Sequence, residues 1–128
     1  MDDNKEFRDI RAVEHSNCAV ISDLLARTAD KWTILVIREL GDGPIRFNEL
    51  RRRVAPISQK MLSSTLKGLE RDGFITRTVT PSVPPAVTYA LTELGCGFLR
   101  PVQAMANWTM ENADTITAAR EAYDERQT

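Results

Sequence analysis

Histidine and cysteine are nearly missing from these 128 residues, with His15, Cys18 and Cys96 making up the whole complement. Two thiols cannot build a disulfide framework, and one imidazole does not complete a zinc site with them. No cofactor or metal is expected. The sequence also lacks a glycine-rich phosphate loop and any pair of carboxylates in an apolar setting. His15 and Cys18 superficially suggest a base and a nucleophile, but nothing orients the imidazole or supplies an oxyanion site. An enzyme is therefore not expected. No apolar run approaches the roughly 18 residues of a membrane span. The acidic start, MDDNKEFRD, has no apolar segment of the secretory kind. A reducing cytoplasm and no membrane partner are the expectation, and no internal repeat or low-complexity tract is present.

What the chain has is a modest core and an uneven charge. An apolar share of 42% can hold one domain together without disulfides. The net charge of −1 hides a strong asymmetry. Residues 46–77 carry eight cations against three anions, a local balance of +5. Residues 111–128 carry −3 and residues 1–17 carry −2. Such a distribution directs a field from one face and suits a polyanion there.

Residues 1–16 show little periodicity and read as an N-terminal arm. Asn17 can cap a helix reaching about residue 28, with Cys18, Ile21 and Leu25 on one stripe and Leu24 beside it. Asp30 is placed to cap a helix over 31–40, which is apolar nearly all round and is expected at the centre of the domain. Gly41-Asp42-Gly43-Pro44 ends it. Phe47, Leu50 and Val54 share one face of a short helix, and Ala55-Pro56 closes that helix. Ser58 then caps a helix over 58–72.

That helix carries the functional argument. Leu62, Leu66 and Leu69 fall on one side with Thr65, while Lys60, Ser63, Ser64, Lys67 and Arg71 fall opposite. Small hydroxyls between cations suit close approach to phosphates and to base edges in a groove. Two helices with a few turn residues between them make a helix-turn-helix. The β-branched run 74–80 and the alternating run 87–92 form a hairpin whose three tip prolines, Pro81, Pro84 and Pro85, stiffen it. The expected fold is mainly α with a small β-hairpin, a winged helix-turn-helix over residues 17–92. Residues 93–128 hold the C-terminal helix or helices and an acidic tail. There Leu94, Phe98, Val102, Met105 and Thr109 recur at helical period, and Pro101 is expected to kink the helix. A stripe this wide needs cover, and a second copy of the chain is the economical answer.

The candidate contacts to double-stranded DNA follow. Ser58, Gln59, Lys60, Ser63, Ser64 and Lys67 would present to the major groove. Arg46, Arg51, Arg52 and Arg53 would hold phosphates, and Arg77 and Ser82 would serve the wing. A winged helix used as a protein-interaction module stays open as the alternative. The Ser63-Ser64 pair fits a groove better than a protein surface, which needs apolar anchors.

Several blocks in order resemble the HxlR family of bacterial transcription regulators, relatives of the MarR type. They are Cys18, Asp30-Lys31-Trp32-Thr33-Ile34-Leu35, Arg38-Glu39-Leu40, Gly43-Pro44, Arg46-Phe47-Asn48-Glu49-Leu50-Arg51, Ile57-Ser58-Gln59-Lys60-Met61-Leu62, LKGLERDGFI, PSVPP, Tyr89 and Leu91-Thr92-Glu93-Leu94-Gly95. The likeness covers about residues 18–108, and Asp30 stands where the family commonly has glycine. It implies a homodimer on a palindromic operator, usually as a repressor, with the first and last helices forming the dimer interface.

One branch of that family senses electrophiles or oxidants through a cysteine near the start of the first helix, which Cys18 matches. A thiol in a first turn faces unpaired N–H groups and the positive end of the helix dipole, which favours thiolate. Sharing a stripe with Ile21 and Leu25 instead suits a small buried hydrophobe. Both readings of Cys18 stand on the sequence, as does control by a small-molecule effector instead of an oxidant. Cys96 has no motif support and is read as structural.

Overall fold

Capping side chains mark three helix starts among the described residues, at Asp30, Ser58 and Thr92. A computed structural model describes residues 18–28 and 30–127, with Cys18 and Thr28 described in their backbone alone. The expected arm and the Asn17 cap lie outside the described residues. Helix α1 (Cys18–Thr28) is followed by α2 (Lys31–Leu40), where the Asp30 carboxylate accepts from both the backbone N–H and the hydroxyl of Thr33 at 3.1 Å. The aspartate that departs from the family's glycine is thus a working N-cap. It also satisfies the hydroxyl of Thr33, which is buried.

Strand β1 (Ile45–Arg46) leads directly into α3 (Phe47–Arg53), and α4 (Gln59–Arg71) starts at Ser58, whose Oγ accepts from Met61 N at 3.1 Å. Strands β2 (Ile75–Thr80) and β3 (Ala86–Leu91) form the expected hairpin, and α5 (Glu93–Gln127) ends the described chain. One correction concerns the sheet. It has three antiparallel strands in the order β1-β3-β2, because Ile45 and Arg46 pair with Tyr89 and Thr88 on the other edge of β3. A two-residue strand is too short to show alternation, so the sequence pattern had nothing to register.

The core gathers Val36, Ile37 and Leu40 of α2, Leu50 of α3, and Leu62, Leu66 and Leu69 of α4, with Val54, Ile57, Phe74, Ile75, Tyr89 and Val102 around them. Burying one such aliphatic side chain contributes roughly 1.5–3 kcal/mol, so the three leucines of α4 seat its back firmly. α2 is central, as its composition predicts, but Trp32, Ile34 and Leu35 are only half-buried.

α5 is a single helix that passes unbroken through Pro101 and takes in the acidic tail. Its start is locked to the hairpin. Thr92 Oγ1 donates to Gly73 O at 2.6 Å and accepts from Gly95 N at 3.1 Å, while Phe74 stacks on Phe98 at 4.7 Å. Of the residues along α5, only Gly95 and Val102 are buried. No helix of the described residues is long and apolar enough to cross a membrane.

Candidate nucleic-acid interface

With Leu62, Thr65, Leu66 and Leu69 turned inward, the helical period leaves Lys60, Ser64, Lys67 and Arg71 on the open ridge of α4. Gln59 is exposed in the first turn. Ser58 is exposed too, and its oxygen is engaged by the Met61 N–H while its own hydrogen stays free to donate. Ser63 departs from the expected outward face. It is half-buried on the flank toward the wing, whereas Ser64 lines the opposite flank with Asp23, Arg27 and Asp30. Neighbouring residues sit about 100° apart on a helix of 3.6 residues per turn, so two adjacent serines cannot share one narrow face.

Between α4 and the wing lies a concave cationic strip. Ser63, Lys67, Glu70, Arg77 and Tyr89 line one hollow of about 340 Å³. Arg46, Asn48, Arg52, Arg77, Ser82 and Tyr89 lie among the walls of an adjoining groove of about 640 Å³. Arg77 and Tyr89 belong to both, because they face each other across the β2–β3 pair and leave the same face of the sheet. The short strand β1 brings Arg46 alongside, opposite Thr88. Arg46, Arg52 and Arg77 thus share the larger groove, which Glu49 also lines, and Lys67 and Arg77 share the smaller hollow with Glu70, so that Arg77 links the two.

The rest of the arginine cluster divides. Arg52 pairs with Glu49, and Arg53 reaches Glu49 at 3.2 Å and Glu39 at 3.9 Å. The Arg52 guanidinium, and after it that of Arg53, holds the Glu49 carboxyl below its ordinary value. Arg51 is exposed and carries no ion pair among the described residues. At the wing tip the Ser82 hydroxyl donates to Pro84 O at 2.7 Å. Its one proton is engaged inside the loop, while Arg77 is exposed on β2.

Three residues join the expected set. Arg71 shares the ridge with Lys67, a position its helical period already indicated. Asn48 and Tyr89 enter through the groove walls, and for them the sequence pattern pointed only to an outward polar residue and a core aromatic. The Cys18 side chain lies outside those described, and Cys96 is a free, exposed thiol.

Comparison with known proteins agrees with this geometry. The family model described as HxlR-like helix-turn-helix matches residues 28–117, a span that extends past residue 108 and leaves Cys18 outside it. The chain is 38% identical over 99 residues to the uncharacterized HTH-type transcriptional regulator YtfH of Escherichia coli, covering 77% of this chain and 79% of that one. A solved structure described as a transcriptional regulator YtfH from Salmonella typhimurium superposes with a TM-score of 0.73 at 40% identity, over 78% of this chain and 89% of that chain. The redox regulator HypR in its reduced form gives 0.70 at 37% identity, over 77% and 97% of the two chains.

Proposed function

The chain belongs to the HxlR-like helix-turn-helix family of transcriptional regulators, and from that premise we propose that it acts as a homodimeric repressor on a palindromic operator. One observation carries the proposal: Arg77 of the wing links the hollow it shares with Lys67 of the outward-facing α4 to the groove it shares with Arg46 and Arg52. Cations so linked follow a phosphate backbone while the ridge of α4 enters the adjacent major groove. Gln59 can take an adenine edge in two hydrogen bonds, Lys67 a guanine or a phosphate, and Arg51 a phosphate. Lys60, Ser64 and Arg71 complete the groove face, and Ser63 stands on its flank toward the wing. The wing reaches the backbone beside the minor groove through Arg77.

Dimerisation is supported by apolar side chains left open along α1 and α5, among them Val20, Met105, Trp108 and Met110. A second copy covers them and presents two copies of α4 to one duplex. The effector is a thiol oxidant or electrophile acting at Cys18, a reading supported by the likeness to HypR. A small molecule held between the dimer helices and the DNA-binding domain is the other reading.

Selection of bound duplexes from a random library, run with and without diamide, tests all three parts. Gln59→Ala is expected to lose base preference at one position per half-site. Lys67→Ala, if its contact is a phosphate, should reduce the dependence of log affinity on log salt by about one. Unchanged footprints and salt slopes in both variants would count against these roles. DNA release indifferent to diamide would remove the Cys18 switch.

A further inference from the structure

α1 and α4 are tied by a polar contact with no slack around it. Arg27 Nε stands 2.5 Å from Asp72 Oδ2, and both atoms are closed off from solvent. The guanidinium lies across Gly68. A methyl group at that position would overlap Arg27 Nη1 and stand 3.0 Å from Cζ. Asp72 is the C-cap of α4, the end of the helix dipole at which an anion is disfavoured. An aspartate placed there calls for a cation close by, and α1 supplies it. The rest of α1 is seated shallowly: none of its described side chains is buried, and Leu24 is its apolar contact with the core.

We infer that Arg27 is a positioning residue for DNA recognition: held between Gly68 and Asp72, it fixes the angle of α4 to α1 and thereby sets the half-site spacing that the dimer accepts. The inference rests on the operator-binding homodimer proposed above, in which α1 belongs to the subunit interface and α4 to the duplex. Two recognition helices on one face of DNA must lie about one helical turn, roughly 34 Å, apart. With α1 anchored at the interface, a tilt at its far end shifts α4 along the groove. Gly68 is part of the device because a bare backbone leaves room for the guanidinium over the helix, with Nε close to the carboxylate oxygen. Lysine, with a point charge and no plane, does not reproduce that seat.

The test uses the full chain with Arg27→Ala, Gly68→Ala and the reversal Arg27→Asp with Asp72→Arg. Gly68→Ala is the decisive variant, because alanine favours helix over glycine, so α4 is strengthened even as the guanidinium is pushed off. Should Arg27→Ala fail to fold, Gly68→Ala answers alone. The first readout is affinity for the selected operator with one base pair added or removed between the half-sites. The wild type is expected to lose roughly tenfold or more for each such change, and both single variants to lose no more than about threefold. Base preference within a half-site should stay as it was. The reversal should recover part of the spacing preference, which a merely structural role for Arg27 would not bring about.

The second readout needs no DNA. Amide hydrogen exchange in α1 should quicken roughly tenfold in both single variants, with α2 unchanged. Wild-type spacing preference together with wild-type exchange in α1, in both variants, would overturn the inference. A wild type that binds no duplex at any spacing would overturn the operator reading instead. Unchanged α1 exchange in the variants would then still decide against the joint.

Discussion

Glu49 occupies two of the three consecutive arginines, and this limits what they can offer a phosphate. Its carboxyl is held below its ordinary value first by Arg52 and then by Arg53, so it stays ionised throughout the neutral range. By linkage, the interaction is fully present above the ordinary carboxylate value of 4.5 and is lost as pH falls through the lowered one. Binding near neutral pH should therefore show no titration from this group. Glu49→Gln removes the anion and frees both guanidinium groups. We expect duplex affinity at low salt to rise by about two- to fivefold, with a salt slope steeper by as much as roughly two. Anisotropy titrations across a salt series measure both quantities, and a slope equal to that of wild type would show that Arg52 and Arg53 do not reach phosphates.

At the scale of elements, the hairpin, α4 and α5 are joined where the backbone of Phe74 meets Gly95. An added methyl at Gly95 would overlap the Phe74 carbonyl oxygen and crowd Leu91 Cδ2 at 3.1 Å. Unlike the guanidinium over Gly68, a strand carbonyl has no free rotation by which to withdraw. Gly95→Ala is thus expected to destabilise by about 1–3 kcal/mol, the usual cost of overpacking, seen as a lower urea midpoint with an unchanged slope. Because the damage lies behind α4, the folded fraction should bind duplex with the wild-type salt slope. A stability equal to wild type would mean that α5 can slide along the hairpin without loss. Thr92, Gly73 and Gly95 meet at the same corner.

At the scale of the whole molecule, the described residues offer cations beside α4 and exposed large apolar side chains along α1 and α5. Val20 and Trp108 are each 59% exposed and Met110 is 63% exposed. A 35-residue helix is about 52 Å long, far more than its seat on α2 and the sheet can cover. Trp108→Lys puts a charge where the proposed partner subunit packs, and a central aromatic in an interface is commonly worth 2 kcal/mol or more, roughly a 30-fold weaker dimer. Sedimentation should show the shift to monomer. Affinity for a full operator should fall while base preference on a single half-site persists. A variant that remains dimeric at micromolar concentration would place the interface elsewhere.

Local patterns in the chain were enough to determine the order of elements, the caps at Asp30 and Ser58, the buried stripe of α4, and the concentration of positive charge between residues 46 and 77. Each depends on neighbours within a turn or a strand, where period and propensity act directly. Tertiary structure alone decided which cations work together. Arg46 joins Arg77 in one groove because a two-residue strand pairs with β3, and Arg77 meets Lys67 in the adjoining hollow beside its cross-strand partner Tyr89. The same holds for the diversion of Arg53 to Glu39 and the seating of Arg27 on Gly68. These contacts link residues distant in sequence, whose meeting depends on how a three-stranded sheet and five helices pack, and no spacing along the chain encodes it.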